Sequence, residues 1–271
     1  MSGYLFQRLG FAVVQIWLVV TIVFSLLHLI PGDPVLVVLG SERMPAQEVI
    51  DAVRERLGLN KPLGEQYVAW LTGMARGDLG TSLSNDAPVW ERISVRIPRT
   101  IELVVSAMLL ATLIGVALGI VAALNWNTFR DSLVTALSVV GMSTPVYVSG
   151  TLLVLLFAVQ LRWLPNAGYV GANEDFFEFF RRLTLPTIAL CLTPMAVITR
   201  TTRTSLLEVR FSDYVRTAYA KGLRHRTVII RHMLKSAFIP VVTMIGIQMG
   251  ALLGGTVIVE YIFNWPGLST L

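Results

Sequence analysis

The chain has 271 residues, 54% hydrophobic and 14% charged, with a mean hydropathy of +0.67 and a formal net charge of +5. Soluble domains carry about 25% charged residues, so the composition excludes a soluble globular domain and points to an integral membrane protein. The single cysteine, Cys191, excludes an intramolecular disulfide.

Leu9–Ile30 is apolar apart from Gln15, Thr21, Ser25 and His28. It is longer than the roughly 7–15 apolar residues of a signal peptide and lacks a small-residue cleavage site. It reads as a first span, with Arg8 holding its start in the cytoplasm. Residues 31–100 form a loop with eight basic and nine acidic residues. Pro45 suits a first helical turn there, and Val49, Val53 and Leu57 recur every four residues before Gly58. A second pattern, Tyr67, Trp70, Leu71 and Met74, stops at Gly77. Together they predict a small helical cap. It would contact a delivery protein, cover a pore mouth, or plug the structure by packing against the spans.

Ile101–Leu124 is the second predicted span, with Gly115 and Gly119 four apart. The third, Leu133–Leu161, is interrupted by Gly141, Pro145 and Gly150. Ser143-Thr144-Pro145 breaks its hydrogen-bond ladder, which membranes tolerate where protein or water satisfies the freed groups. These three are candidate pore residues. Leu183–Thr199 is the fourth span, with Pro186 and Pro194, and Phe238–Phe263 the fifth, with Gly246, Gly250 and Gly254. Small residues at this spacing let helix backbones approach in lipid, so Gly115, Gly119, Gly246, Gly250 and Gly254 read as helix-packing positions, within a bundle or toward a partner.

Between the fourth and fifth spans, Arg200–Lys235 holds nine Lys or Arg against Glu208 and Asp213 alone. One Arg at the bilayer centre costs about 2.5–3.5 kcal/mol on insertion scales. Nine place the stretch in water, and a short basic loop between spans marks the cytoplasmic side. The positive balance of the chain therefore reports topology, not nucleic-acid binding. Ser212 or Asp213 can cap a helix. Tyr214 and Ala218, and Val215 and Tyr219, are four apart on one surface. Gly222 suits the left-handed residue that ends the helix, and a second helical stretch, Arg224 to Phe238, returns to the membrane. A basic amphipathic helix resting on anionic lipid and a docking helix for a cytoplasmic partner both fit this pattern. With the loop inside, the amino terminus and Asn125–Ser132 are also inside. Loops 31–100 and 162–182 and Leu271 are then outside, and Trp163, Tyr261 and Trp265 lie near outer ends, where aromatic belts form.

No GxxxxGK[ST] phosphate loop occurs. Glu102 and Glu260 fall at outer ends of spans and His28 near the end of the first. They read as interfacial groups reaching headgroups or water rather than mid-membrane coupling groups. His28, His225 and His232 are far apart in topology, and no His or carboxylate set has metal-ligand spacing. No catalytic or metal residue is assigned. Ser138, Ser143, Thr144, Ser149 and Thr193 bond neighbouring helices or line the path of a polar solute. A bundle with neither an internal coupling carboxylate nor a nucleotide site takes its work from another subunit.

Asp213–Gly222, DYVRTAYAKG, with Leu234 twelve residues beyond Gly222, resembles the cytoplasmic loop of type I ABC importer permeases. Their pattern is Glu-Ala-Ala, three residues, Gly, nine residues, Ile, one residue, Leu-Pro. Here Arg216-Thr217-Ala218 keeps only the second Ala, Gly222 and Leu234 match, and His232 and Lys235 replace Ile and Pro. These departures are typical of the dipeptide, oligopeptide and nickel permease branch. The chain is also similar to that branch at Ile30-Pro31-Gly32-Asp33-Pro34, at Gly77-Asp78-Leu79-Gly80, and at Val259-Glu260 with Phe263-Asn264-Trp265-Pro266-Gly267. The resemblance runs from residue 4 to residue 271.

The resemblance implies an all-α integral membrane protein, a polytopic bundle of the type I importer (MetI-like) kind. Residues 1–30 would be the cytoplasmic tip and first span, 31–100 a periplasmic loop with the cap, and 101–271 the core containing the coupling loop 200–235. A sixth span, usual in the family, is expected beyond the five visible here. The implied function is the permease subunit of an ATP-driven importer, forming half of an alternating-access path for a small polar solute. Di- or oligopeptides come first among solutes; glutathione and nickel systems share the motifs. The implied partners are a homologous second permease, two cytoplasmic ATPases and a periplasmic or extracellular solute-binding protein. All of them would work at the bacterial inner membrane and its lipid, without nucleic acid, with the amino terminus of this multi-pass chain cytoplasmic. The ATPases would hold ATP and Mg, so this chain would carry no cofactor. Asp213, Tyr214, Val215, Arg216, Ala218, Lys221 and Gly222 would dock them: Tyr214, Val215 and Ala218 by apolar contact, Arg216 and Lys221 as polar anchors, Gly222 as the corner. The residues alone also fit a stand-alone channel or secondary transporter not driven by ATP, or a membrane scaffold or enzyme whose loop binds something else.

Overall fold

In lipid every backbone N–H and C=O must be satisfied within its own segment, and the chain answers with helices. The computed structural model describes residues 2–29, 51, 54–55, 59–82 and 87–271. The Ile30–Pro34 motif, and Pro45, Val49, Val53, Leu57 and Gly58, lie outside the described residues. Four helices among the described residues are long and apolar enough to cross a membrane, or five if one bent pair counts as a single span.

The chain divides into two units, residues 1–92 and 93–271. In the first, α1 (Ser2–Leu29) has no buried side chain among those described, as a helix facing lipid requires. α2 (Leu63–Ala75) packs on its later turns. Phe24 meets Tyr67 and Trp70 with ring centroids 5.2 and 5.5 Å apart, and the Thr21 and Tyr67 hydroxyls share a 2.7 Å hydrogen bond. α2 stops where Gly77 takes φ +83°. Gly77 N–H donates to the Met74 carbonyl and Asp78 N–H to the Gly73 carbonyl, at 3.0 and 2.9 Å, the paired closure of a Schellman ending. Asp78 Oδ1 then accepts from Gly80 N–H at 2.9 Å. The Gly77–Gly80 motif is thus a turn in which each residue type has a local task.

α3 (Val89–Leu124), all but its first turn in the second unit, starts well before the apolar run that predicts it, because Arg92, Arg96 and Arg99 continue the helix in polar turns. α4 (Phe129–Ser143) and α5 (Val146–Leu153, prolonged as π-helix by Val154–Gln160) replace the single third span and meet at 100°. Pro145 has no N–H to continue the ladder, and Thr144 before it is extended at ψ 116°. α6 (Phe176–Arg210) opens on Asp175, whose side chain accepts from Glu178 N–H at 3.0 Å, and runs through Pro186 and Pro194. α7 (Asp213–Ala220) follows. A helical lead-in, His225–Met233, joins α8 (Leu234–Ile262), and one 3₁₀ turn lies at Leu268–Thr270.

The main core joins Leu103, Val104, Ala107 and Ala111 of α3 to Leu185, Ala189 and Ile198 of α6, with Val241, Val259, Phe263 and Trp265 from the far end of the chain. Small residues dominate where α3 meets α6. A Cβ at Gly115 would come 2.8 Å from the Met195 carbonyl, and one at Gly119 2.5 Å from Thr202 Cβ and 2.7 Å from the Thr199 carbonyl. Large apolar side chains such as Leu109, Leu113, Ile239 and Val242 point outward. Lipid is as apolar as leucine, so close backbone packing, rather than withdrawal of leucines from the surroundings, holds these helices together.

Candidate functional site

α7 is a short helix between the two long helices α6 and α8, and its sequence forces two unlike faces. Val215 is fully buried and Ala218 nearly so. Both pack with Ala123, Leu206, Val228, Met233 and Ala237 from α3, α6 and the return stretch. Val215 and Ala218, expected to make apolar contact with an ATPase, are covered by this chain itself. They are spent on their own chain, because three elements of this unit already cover that stripe. What faces outward is Asp213, Tyr214, Arg216, Thr217, Tyr219 and Lys221. Arg216 lies 3.7 Å from Asp213, with the two side chains 79% and 100% exposed, so the pair adds little stability.

Both ends of α7 are closed by local chemistry. Ser212 occupies the N-cap position, but its hydroxyl donates back to the Val209 carbonyl at 2.6 Å rather than capping α7, and Asp213 lies in the first turn. At the other end Gly222 takes φ +76°. Gly222 N–H donates to the Tyr219 carbonyl and Leu223 N–H to the Ala218 carbonyl, at 2.9 and 3.3 Å, a second Schellman ending. Tyr219 and His225 bridge this corner with a 2.7 Å hydrogen bond. The neighbouring corner is held by Trp126 and Phe211, edge to face with centroids 5.5 Å apart. The buried face of α7 thus shares one packed cluster with α3, α6 and α8.

The pore candidates sit at the α4–α5 break. Ser143 and Pro145 are exposed and Thr144 is half-buried. Thr144 donates both its N–H and its hydroxyl to the Val140 carbonyl, at 3.0 and 2.8 Å. Past the break, Val146 borders a recess of about 180 Å³ whose polar lining is Thr193 and Gln248. Gly246, Gly250 and Gly254 of α8 meet nothing within 4 Å of an added Cβ. Among the described residues no helix packs on that stripe, in contrast to Gly115 and Gly119.

The far end of the unit is a polar knot. Glu260, expected to reach headgroups or water, is fully buried. Its carboxyl accepts from the Thr100 hydroxyl at 2.7 Å, from Ser269 N–H at 2.9 Å and from the Ser269 hydroxyl. Trp265, expected in an aromatic belt, is also fully buried, its Nε1 donating to the Arg99 carbonyl at 2.9 Å. Tyr261 and Trp163 are exposed. Tyr169 meets Trp265 edge to face at 4.8 Å, lies under the Arg99 guanidinium at 4.7 Å and donates to Glu102 at 3.3 Å. Burial, and then the neighbouring Glu102, push the Tyr169 phenol above its ordinary range. Among the described residues no group of three His, Cys, Asp or Glu is placed to hold a metal ion.

The family model described as "binding-protein-dependent transport system inner membrane component" matches residues 115–271, and the model of its N-terminal region matches residues 1–104. The chain belongs to this family of permeases. The permease is 39% identical over 271 residues to the probable peptide ABC transporter permease protein y4tP of Sinorhizobium fredii, which covers 100% of this chain and 86% of that protein. It is 41% identical over 271 residues to the glutathione transport system permease protein GsiC of Pectobacterium atrosepticum (100% and 85%). It is 39% identical over 289 residues to the di/tripeptide transport system permease protein DppB of Pseudomonas aeruginosa (99% and 86%). A crystal structure of an amino acid ABC transporter with histidines aligns with 66% of this chain and 75% of its own, at a TM-score of 0.48 and 16% identity. The permease is a multi-pass inner-membrane subunit of an ATP-driven ABC importer, a transport component rather than an enzyme, in a family that works with ATPase and substrate-binding subunits.

One constellation in the permease escaped sequence reading. Arg203 of α6 donates from Nε to Asp131 Oδ1 at 2.5 Å and from Nη2 to Oδ2 at 2.8 Å, and Asn127 N–H adds a third hydrogen bond to Oδ2 at 3.0 Å. Asp131 is 4% exposed. The partners are 72 positions apart, so no periodicity connects them. The only available signal is a lone acid in the short loop between the second and third spans, facing a basic stretch.

Proposed function

We propose that this permease pairs with a homologous second permease to enclose a path for small peptides, and that two cytoplasmic ATPases drive it through the outer face of α7. The amino terminus and Arg200–Lys235 lie on the cytoplasmic side, and ATP and Mg belong to the ATPases. The observation that carries the reading is the division of α7: Val215 and Ala218 are seated in the permease's own core while Tyr214, Arg216, Tyr219 and Lys221 are exposed. An apolar anchor with an exposed polar and aromatic face suits a lever that another subunit grips. Closure of the ATPases displaces α7, and its anchor passes the displacement to α6 and α8. α4, whose first turn is tied to α6 by Asp131 and Arg203, carries that displacement to its break with α5, which then changes which side of the membrane the path opens to. Peptide is the preferred solute because the relatives just described are named for peptides, di- and tripeptides, and glutathione. The open stripe Gly246, Gly250 and Gly254 is the surface offered to the second permease.

The test is Gly222. Its Cβ direction is open, so substitution acts through backbone strain alone, about 1–2 kcal/mol for a side chain forced into the left-handed region. Gly222→Val should insert normally, retain ATP hydrolysis and lose uptake of a labelled dipeptide in proteoliposomes, while Gly222→Asn keeps uptake. Normal uptake by Gly222→Val overturns the lever. Orientation is read separately: a cysteine at Lys221 should react with a membrane-impermeant maleimide only after the cells are opened.

A further inference from the structure

Below the α4–α5 break, α4 and α6 part to leave a recess of about 360 Å³. Val134, Thr135, Ser138 and Met142 line one wall, and Thr199, Arg200, Arg203 and Thr204 the other. Val134 to Met142 spans roughly 12 Å at 1.5 Å per residue, and the volume is within the range of about 300–1,000 Å³ typical of small-molecule sites.

Its hydrogen-bond balance is one-sided. Ser138, Thr199 and Thr204 donate their hydroxyl protons to the carbonyls of Val134, Met195 and Arg200, at 2.8, 2.8 and 3.0 Å. Arg203 uses Nε and Nη2 on Asp131, which leaves Nη1. Arg200 has no ion-pair or hydrogen-bond partner for its guanidinium among the described residues. The charged donors left over are all guanidinium N–H groups. The three charged groups at the recess, Arg200, Arg203 and Asp131, leave one positive charge uncompensated. Guanidinium offers two parallel N–H groups matched to two oxygens of one anion.

We propose that this recess binds an oxyanion, held by Arg200 with the remaining N–H of Arg203, while Val134 and Met142 pack against an apolar group attached to it. A carboxylate on a solute and the phosphate of a membrane lipid share this chemistry. The site goes beyond the lever proposed for α7 and does not depend on it.

The test uses the complex purified through this chain, reconstituted in phosphatidylcholine nanodiscs, with Cys191→Ala removing the buried native thiol. Thr135→Cys and Thr204→Cys place a reporter on each wall. A sulfonate-bearing methanethiosulfonate should label both at least about tenfold faster than a trimethylammonium-bearing one, the enrichment a cleft of one sign produces. Arg200→Gln should abolish that preference, and Arg216→Gln, on exposed α7, should not. Equal rates for the two reagents, or a preference that survives Arg200→Gln, overturns the site. The source of the anion is read from protection that Arg200→Gln abolishes. Slowing by alanyl-alanine but not by its C-terminal amide assigns a solute carboxylate, slowing by phosphatidylglycerol in the nanodisc assigns a lipid phosphate, and slowing by neither overturns the proposal.

Discussion

Thr100 donates its hydroxyl to Glu260 at 2.7 Å across 160 positions of sequence, inside a site with no exposed carboxyl surface. The same Thr100 oxygen accepts from Leu268 N–H at 2.9 Å, and Arg96 reaches the Thr270 hydroxyl at 2.8 Å. The segment after Trp265 is thereby fastened to the start of α3, with the Glu260 carboxyl pressed against Gly267 so closely that any Cβ there collides with it.

Gly267→Ala should therefore cost about 1–3 kcal/mol from overpacking. Glu260→Ala should cost a similar amount, about 1–3 kcal/mol, because it leaves the buried Thr100 hydroxyl without its acceptor. The two changes should not add, because removing the carboxyl makes room for the new methyl. Thermal unfolding of the two single variants and the double variant in nanodiscs measures the coupling, and full additivity would contradict the contact.

The contrast between legible and hidden features lies in how far the cause sits along the chain. Apolar runs locate α1, α3, α6 and α8, because lipid demands them locally. Gly77 and Gly222 are readable as turns because the left-handed backbone admits few other residues. The roles of Glu260 and Trp265 were unreadable. Their position near a span end suggested an interface, and only the return of residues 265–270 onto Arg99 and Thr100 buries them. Val215 and Ala218 show the same limit: spacing identifies an apolar stripe but cannot say whether the chain itself or a partner covers it. Pro145 announces a break, while its 100° angle is set by how α4 and α5 each pack on α6.

Val215 and Arg216 are neighbours with opposite tasks. Val215→Ala opens space in the cluster of Leu206, Val228 and Met233 and should cost about 2 kcal/mol of stability. Arg216→Ala, at an exposed position, should stay within about 0.5 kcal/mol of the parent yet weaken coupling between ATP hydrolysis and uptake. Melting temperature alongside both activities separates anchor from grip. Loss of stability in Arg216→Ala, with coupling intact, would reverse the assignment.

The five glycines divide by what they face. Gly119→Ala drives a methyl into Thr202 and the Thr199 carbonyl and should cost about 1–3 kcal/mol. Gly250→Ala meets open space and should leave the chain unharmed or more stable by up to about 1 kcal/mol, the helix preference for Ala over Gly. If a second permease packs on α8, Gly250→Ala should still weaken that association, seen as loss of the copurifying subunit without loss of membrane insertion. Unchanged copurification with Gly250→Leu would remove this stripe from the interface.

Asp131 and Arg203 make the sharpest case for a tie between distant segments. A bidentate pair with one partner almost fully buried is costly to break from one side, because the remaining charge is stranded in a poor solvent. Asp131→Asn or Arg203→Met alone should lose about 2–4 kcal/mol, at or just below the usual range for a buried pair because Arg203 keeps some exposure. The double variant should recover much of that loss, since neither charge is then left alone. If the pair also transmits motion from α6 to the α4–α5 break, the double variant should fold well and still show reduced uptake per ATP hydrolysed. Thermal unfolding and the ratio of uptake to hydrolysis, measured on the same three proteins, distinguish a tie that only stabilises from one that also couples.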